Sequence, residues 1–139
     1  MDIKKYNKLP ADAMSVRTAV FCKEQGLVDV PDEIDDTATH FLLYNDEMIP
    51  VGTCRVFKDG GAYILGRLAV LKEYRGQGLG SQIVGAAEEY IRSVGGECLI
   101  LHSQYSASLF YKMLGYSEEG SPDEVQGCPH IWMKKNLKK

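Results

Sequence analysis

Apolar positions along the chain recur with two periods, and the switches between them divide the sequence into elements. Ile3 and Tyr6 alternate weakly, which predicts a short edge strand. From Pro10 onward Ala13, Val16, Val20 and Phe21 follow helical spacing; proline suits a first helical turn and Gly26 stops the run. The acidic, proline-containing stretch Asp29 to Asp36 reads as a loop or broken turn. Three strands are predicted next, at His40 to Tyr44, Val51 to Phe57 and Ala62 to Leu71, with Lys58-Asp59-Gly60-Gly61 as the turn between the last two. The period then changes: Leu79, Ile83, Ala87, Tyr90, Ile91 and Val94 line one face of a helix that Gly95-Gly96 ends. Glu97 to Ser103 has the near-continuous apolar centre of a strand covered on both faces. Ser106 to Leu114 is a short helix closed by Gly115, one or two strands lie between Tyr116 and Met133, and Lys134 to Lys139 reads as a solvated basic tail. Strands, helix, strand, helix, strands in that order predict an α/β fold with a sheet of mixed direction.

Composition narrows the function classes. The 139 residues suit a single domain over 1–139, and 45% hydrophobic with 25% charged residues is an ordinary globular balance. Lys+Arg number 16 against 19 Asp+Glu, a net charge of −3, which argues against a protein that binds nucleic acid by neutralising phosphates. Apolar runs such as Cys98-Leu99-Ile100-Leu101 are too short for a bilayer, and Met1-Asp2-Ile3-Lys4-Lys5 lacks the apolar stretch of a signal peptide. Cys22, Cys54, Cys98 and Cys128 form no C-x-x-C pair, so reduced thiols are expected rather than disulfides or a metal site. The expected setting is cytoplasmic, without membrane or nucleic-acid partners, and a homodimer is the default for so small a fold.

The run Arg75-Gly76-Gln77-Gly78-Leu79-Gly80 lies between a predicted strand and an amphipathic helix. Alternate glycines let a backbone approach a bulky ligand, and the helix start offers unpaired N–H groups and a positive dipole end to phosphate. Charge-assisted hydrogen bonds contribute about 1.5–3 kcal/mol each, so four or five can outweigh the cost of association and hold a diphosphate at micromolar affinity. A nucleoside-triphosphate loop would need a Gly-Lys pair, and the chain has none. A dinucleotide loop would need Gly-x-Gly-x-x-Gly, but counting from Gly76 or Gly78 the last position is Ser81 or Ile83. The remaining alternative is a glycine-rich turn that binds nothing.

The stretch Gly66-Arg67-Leu68-Ala69-Val70-Leu71-Lys72-Glu73-Tyr74-Arg75-Gly76-Gln77-Gly78-Leu79-Gly80 resembles the strand, bulge and pyrophosphate loop of the GNAT N-acetyltransferase family. A second signature follows in the right order: Ala107-x-x-Phe110-Tyr111-x-x-x-Gly115-Tyr116 is similar to that family's A-x-x-F-Y-x-x-x-G-F. Val20-Phe21-x-x-Glu24-Gln25-Gly26, His40, Leu101-His102-x-Gln104 and Pro129-His130-Ile131-Trp132-Met133 look like its small bacterial branch, typified by YjcF-like and ElaA-like proteins. Two departures stand out: Lys72 replaces a usual proline before the loop, and Gln104 replaces an Asn that in many members touches the pantetheine arm.

The resemblance implies a mostly antiparallel mixed sheet flanked by helices, and transfer of an acetyl group from acetyl-CoA to a primary amine by direct attack in a ternary complex. It implies cofactor contacts from Leu68, Ala69, Val70, Arg75, Gly76, Gln77, Gly78, Leu79, Gly80, Ser81 and Gln104, with a backbone N–H near Leu68 to Val70 polarising the thioester oxygen. Tyr111 matches the family's usual general acid; as a mere packing pair, Phe110 would take the core and Tyr111 would face away. An ammonium of pKa near 10.4 is neutral about once in 2,500 molecules at pH 7, roughly 4.6 kcal/mol, so the amine needs a base or desolvation. Glu24, His40, His102 and His130 are the candidates, with Glu24 and His130 favoured because they fall in the branch-specific motifs. The acidic segment Asp29 to Asp36 either attracts a cationic acceptor or is simply solvated. A non-catalytic acyl-CoA-binding interaction domain is the competing function.

Overall fold

The structure is a computed structural model describing residues 1–138. Its strands are β1 (Asp2–Tyr6), β2 (Thr39–Tyr44), β3 (Pro50–Asp59), β4 (Ala62–Val70), β5 (Cys98–Gln104), β6 (Ser117–Val125) and β7 (Cys128–Asn136). Its α-helices are α1 (Ala11–Arg17), α2 (Glu33–Thr37), α3 (Leu79–Ser93) and α4 (Ser108–Met113). The strands form one sheet in the order β1-β2-β3-β4-β5-β7-β6. Every neighbouring pair is antiparallel except β4 with β5, which the α3 crossover joins in parallel. The mixed, mostly antiparallel sheet flanked by helices is the expected architecture.

Alternation along β2 assigns the two faces. Phe41 and Leu43 enter the main core with Ile83, Ala87 and Ile91 of α3, whereas Leu42 and Tyr44 pack with Ala13 of α1 on the other side. α3 buries Leu79, Ile83, Val84, Ala87 and Ile91, close to the predicted face, and also Glu88. Glu88 is accommodated because the Tyr116 hydroxyl donates to it at 2.8 Å and the Lys135 ammonium at 3.1 Å.

Two packing glycines test this arrangement. A Cβ on Gly96 would strike Ile91 Cγ2 and lie 2.9 Å from the Tyr63 ring, whereas a Cβ on Gly85, inside α3, meets nothing within 4 Å. Gly96→Ala is therefore expected to destabilise by about 1–3 kcal/mol through overpacking. Gly85→Ala is expected to stabilise by up to about 1 kcal/mol through helix propensity. Urea midpoints of the two variants check both signs, and a neutral Gly96→Ala would refute the tight contact.

Three local expectations are corrected. The single helix predicted from Pro10 is α1 followed by a π-helical turn, Thr18–Glu24, before Gly26 ends it at φ 71°. The acidic stretch is no open loop. Asp32 caps α2 in a reciprocal capping box with Asp35, and Asp29 and Asp35 are buried. Arg17 donates to Asp29 at 2.9 Å and to Asp35 at 2.8 Å, and Arg55 donates to Asp35 at 2.9 Å. Burial alone would push the Asp35 carboxyl up, but the bonds from Arg17, the Asp32 backbone N–H and Arg55 together hold it well below the carboxylate range. The basic tail, finally, begins as strand: β7 runs to Asn136 and Leu137 is buried, while Lys139 lies outside the described residues. Lys134 and Lys135 alternate across the sheet, so only one of them faces solvent freely.

Candidate active site

β4 is paired on both edges over its first half only. Against β5 it pairs Tyr63, Ile64 and Leu65 with Leu99, Ile100 and Leu101, and the pairing stops there although β4 continues to Val70 and β5 to Gln104. Against β3 the register jumps from Arg55↔Gly66 to Thr53↔Ala69, so Arg67 and Leu68 together oppose Cys54 in a β-bulge. Arg67 adopts φ 53°, uncommon for a residue with a side chain. The extra residue inverts the faces: Leu65 lies in the core under α3, while Ala69 packs with Val16 and Val20 on the opposite side. Past the bulge the two strands part, and a cleft of about 630 Å³ opens between them. The β4 edge from Gly66 to Val70 is without a strand partner on that side.

At the far end of β4 a single 3-10 turn, Lys72–Tyr74, leads into the glycine loop. Gly76 and Gly78 take φ of 80° and 78°, which explains glycine at both positions. Gly80 is glycine for another reason, since a Cβ there would sit 3.2 Å from the Phe110 ring. Gly78 precedes α3 without a side-chain cap, and the first helical bond runs from the Gln82 N–H to the Gly78 carbonyl at 3.2 Å. The N–H groups of Leu79, Gly80 and Ser81 are thus left open at the positive end of a 15-residue helix, beside the cleft.

Arg75 holds this loop rather than offering a free charge. Its Nη1 and Nη2 each donate to Glu24 at 2.7 Å, and its Nε donates to the Val70 carbonyl at 2.9 Å. The hydrogen bonds from Arg75 keep the Glu24 carboxyl below its ordinary range, which makes it a poorer base. The following residues also reach across. Gln25 accepts from the Gln104 side chain at 2.7 Å, and Gln126, in the β6–β7 turn, exchanges two hydrogen bonds with the Val28 backbone at 2.9 and 3.1 Å.

Tyr111 lies in the core at 7% exposure, packed edge-on against Phe110 and Tyr116, while Phe110 is only half-buried. This is the reverse of the arrangement that the packing-pair alternative required. The Tyr111 hydroxyl makes no hydrogen bond among the described residues, and the residue lines the cleft. Burial pushes its phenol up, with Cys54 adding to the effect, so it stays protonated at neutral pH. His130 also lines the cleft; its Nδ1–H donates to the Cys128 carbonyl at 2.9 Å, leaving Nε2 as acceptor when the ring is neutral. His102 lines the cleft beside it, ring centroids 4.8 Å apart, stacked on Trp132 and bonded through Nε2 to Asp123 at 2.7 Å. His40 is buried away from the cleft, its Nε2–H donated to the Asp35 carbonyl at 2.9 Å.

The acetyltransferase (GNAT) domain family matches residues 11–137. The chain belongs to the GNAT acetyltransferases. A Bacillus subtilis (strain 168) protein assigned as an acetyltransferase is 39% identical over 129 residues, which cover 88% of this chain and 86% of that one. The uncharacterized N-acetyltransferase YjcF of the same organism is 36% identical, over 90% of this chain and 91% of its own. Among solved structures, a Lactobacillus plantarum protein assigned as an N-acetyltransferase superposes with a TM-score of 0.88 at 30% identity, covering 99% of both chains. An aminoglycoside 6'-N-acetyltransferase complexed with coenzyme A shares the fold, with a TM-score of 0.78 at 17% identity over 100% of this chain and 98% of that one.

Of the residues singled out in this GNAT chain, Leu68, Ala69, Val70, Arg75, Gly76, Gly78, Leu79, Gly80, Ser81, Gln104, Tyr111 and His130 all line the one cleft. Gln77 and Glu24 do not line it. Arg67, Gln25, Asp29 and Gln126 line it too; the first three fall in segments the sequence singled out without assigning them a role at the site, and Gln126 carried no signal, because their neighbours come from β-bulge geometry and from segments far apart in the chain. Among the described residues no helix is long and apolar enough to cross a membrane, and no cluster of three or more metal-ligating side chains occurs.

Proposed function

We propose that this GNAT acetyltransferase moves an acetyl group from acetyl-CoA to a primary amine by direct attack in a ternary complex. The observation that carries this reading is the meeting, in one cleft, of the unpaired β4 edge with the open N-terminus of α3. The donors fit the cosubstrate: the free N–H groups from Gly76 to Ser81 suit a diphosphate, and space at Gly76 and Gly78 admits it, since nothing lies within 4 Å of where their Cβ would be. The backbone edge of Leu68 to Val70 suits the amides of the pantetheine arm, and a bulge N–H suits the thioester oxygen. Gln104 adds a side-chain amide at the end of β5. The coenzyme A bound by the aminoglycoside 6'-N-acetyltransferase of the same fold supports the choice.

The chain's own residues then have three tasks. The cleft walls hold thioester and amine together, which supplies effective molarity. Tyr111, kept protonated by burial, donates a hydrogen bond to the sulfur as negative charge develops on it. His130, its tautomer set by the Cys128 carbonyl, takes a proton from the amine at Nε2. Glu24 acts through Arg75 as a positioning residue for the glycine loop instead of taking the proton itself. A thiol-release assay against a panel of primary amines tests the activity. Binding of acetyl-CoA with no turnover of any amine would favour the interaction-domain reading.

Ligand choice is checked by melting temperature. Acetyl-CoA at about 100 times its dissociation constant is expected to stabilise the fold by about 2.7 kcal/mol. ATP and NAD are expected to shift nothing, because the loop lacks the Gly-Lys pair and the third glycine that each would need. A shift with NAD alone would return the loop to the dinucleotide class.

A further inference from the structure

Asp29 is the sole carboxylate among the described residues lining the cleft, and it is fully engaged. Its Oδ2 accepts from Arg17 Nε at 2.9 Å, its Oδ1 accepts from Arg17 Nη2 at 2.9 Å and from Arg67 Nε at 3.0 Å, and its side chain is 4% exposed. A polycationic acceptor would find no free anion there, and a second ammonium would be desolvated without a partner.

The cleft's two arginines are unlike. Arg75 has all three nitrogens committed, to Glu24 and to Val70. Arg67 hydrogen-bonds only through Nε, to Asp29, while Nη2 makes a looser ion pair with Asp32 at 3.7 Å, longer than a hydrogen bond. Its Nη1 and Nη2 ends form no hydrogen bond among the described residues, and its side chain is 38% exposed within the cleft wall. Asp29 is itself clamped by Arg17, so the Arg67 guanidinium is anchored from behind and presents a planar pair of N–H donors at its open end. That pair matches a carboxylate in two parallel bonds. Arg67 sits on the bulge, three residues before Val70, so its backbone is about 10 Å along β4 from the strand end, and the Lys72–Tyr74 turn separates that end from the glycine loop. The anion it can hold is therefore a different one from the diphosphate.

We infer that Arg67 is a specificity residue for the acceptor, and that the acceptor is an amine bearing a carboxylate, of the amino-acid class, rather than a polyamine or an aminoglycoside. The inference rests on the transferase reading above, and its test separates the two. Purified protein with acetyl-CoA is assayed for thiol release with glycine, β-alanine and 4-aminobutanoate, with the primary amide of each, and with spermidine; ternary binding of the same compounds to the CoA-loaded protein is measured by calorimetry. At least one carboxylate member is expected to exceed its amide at least tenfold in kcat/KM. In Arg67→Gln that ratio is expected to fall to near one through a higher KM with kcat kept, and Arg67→Lys is expected to restore part of it. Melting temperatures show whether each variant is folded; should Arg67→Gln not fold, Arg67→Lys and the wild-type ratios decide alone. Amides equal to acids, spermidine preferred, or acetyl-CoA bound with no carboxylate preference in turnover or binding overturns the inference. Failure of acetyl-CoA itself to bind overturns the transferase reading instead.

Discussion

Gly78→Asp is expected to leave the protein folded and to remove its affinity for acetyl-CoA. Gly78 has φ 78°, and a side chain there meets nothing within 4 Å, so the folded cost is conformational. The left-handed region costs about 1–2 kcal/mol for a residue with a Cβ, and aspartate is among the residues that tolerate it best. A negative charge beside the α3 N-terminus returns about 0.3–1 kcal/mol, so the net loss stays small against a stability of about 5–15 kcal/mol. The ligand loses much more. The carboxylate competes for the N–H groups of Leu79, Gly80 and Ser81 and stands as a like charge against the diphosphate. Losing two charge-assisted bonds alone removes about 3–6 kcal/mol, or two to four orders of magnitude in affinity. Calorimetric titration beside a melting curve measures both effects, and Gly78→Ala, which strains the backbone without adding charge, is expected to bind more weakly yet detectably. A folded Gly78→Asp protein with affinity within a few-fold of wild type would sink the phosphate-loop assignment.

Tyr111→Phe is expected to lower kcat by about 10²–10⁴ while acetyl-CoA affinity changes only a few-fold. A thiol of pKa near 8.5 is already more acidic than an ordinary phenol near 10, and burial pushes the Tyr111 phenol higher still. Complete transfer of its proton to the departing thiolate is therefore uphill. What the hydroxyl supplies is a hydrogen bond that strengthens as charge builds on sulfur, an interaction weighted to the transition state. The substitution is clean, because the hydroxyl has no partner among the described residues and the ring keeps its contacts with Phe110 and Tyr116. Stability should stay within about 0.5 kcal/mol, since no bonded group is orphaned. Thiol release with an accepted amine, read beside a titration of CoA, decides the matter. Full activity would reduce Tyr111 to packing; joint loss of rate and binding would make it a group that positions the cosubstrate.

Much of this protein was legible residue by residue, and the legible parts share a cause. Leu79, Ile83, Ala87 and Ile91 read as one helix face because helical periodicity is local, and α3 spans Leu79–Ser93 against a prediction of Leu79 to Val94. Gly76 and Gly78 read as a glycine turn ahead of a helix because positive φ selects glycine within a few residues of chain. What stayed hidden depends on partners distant in sequence. Asp29 and Asp35 look like solvated acids until Arg17 and Arg55, 12 to 20 residues away, neutralise them in the interior. Glu24 looks like a free base until Arg75, 51 residues on, takes both its oxygens. Lys135 looks like tail until Glu88, 47 residues back, draws it to the sheet. Arg67 falls in the strand-and-bulge motif, but nothing local marks its side chain, because the bulge on which it sits is a mismatch of register between β3 and β4. Periodicity and turn chemistry are written in neighbouring residues, so the sequence alone determined most of the elements, the sheet class and the glycine turn before α3, but not α2, the π-helical turn or the end of β7. Which charges are buried, which are spent on one another and which face the cleft is settled by desolvation and pairing across the fold, and those terms exist only once the strands have met.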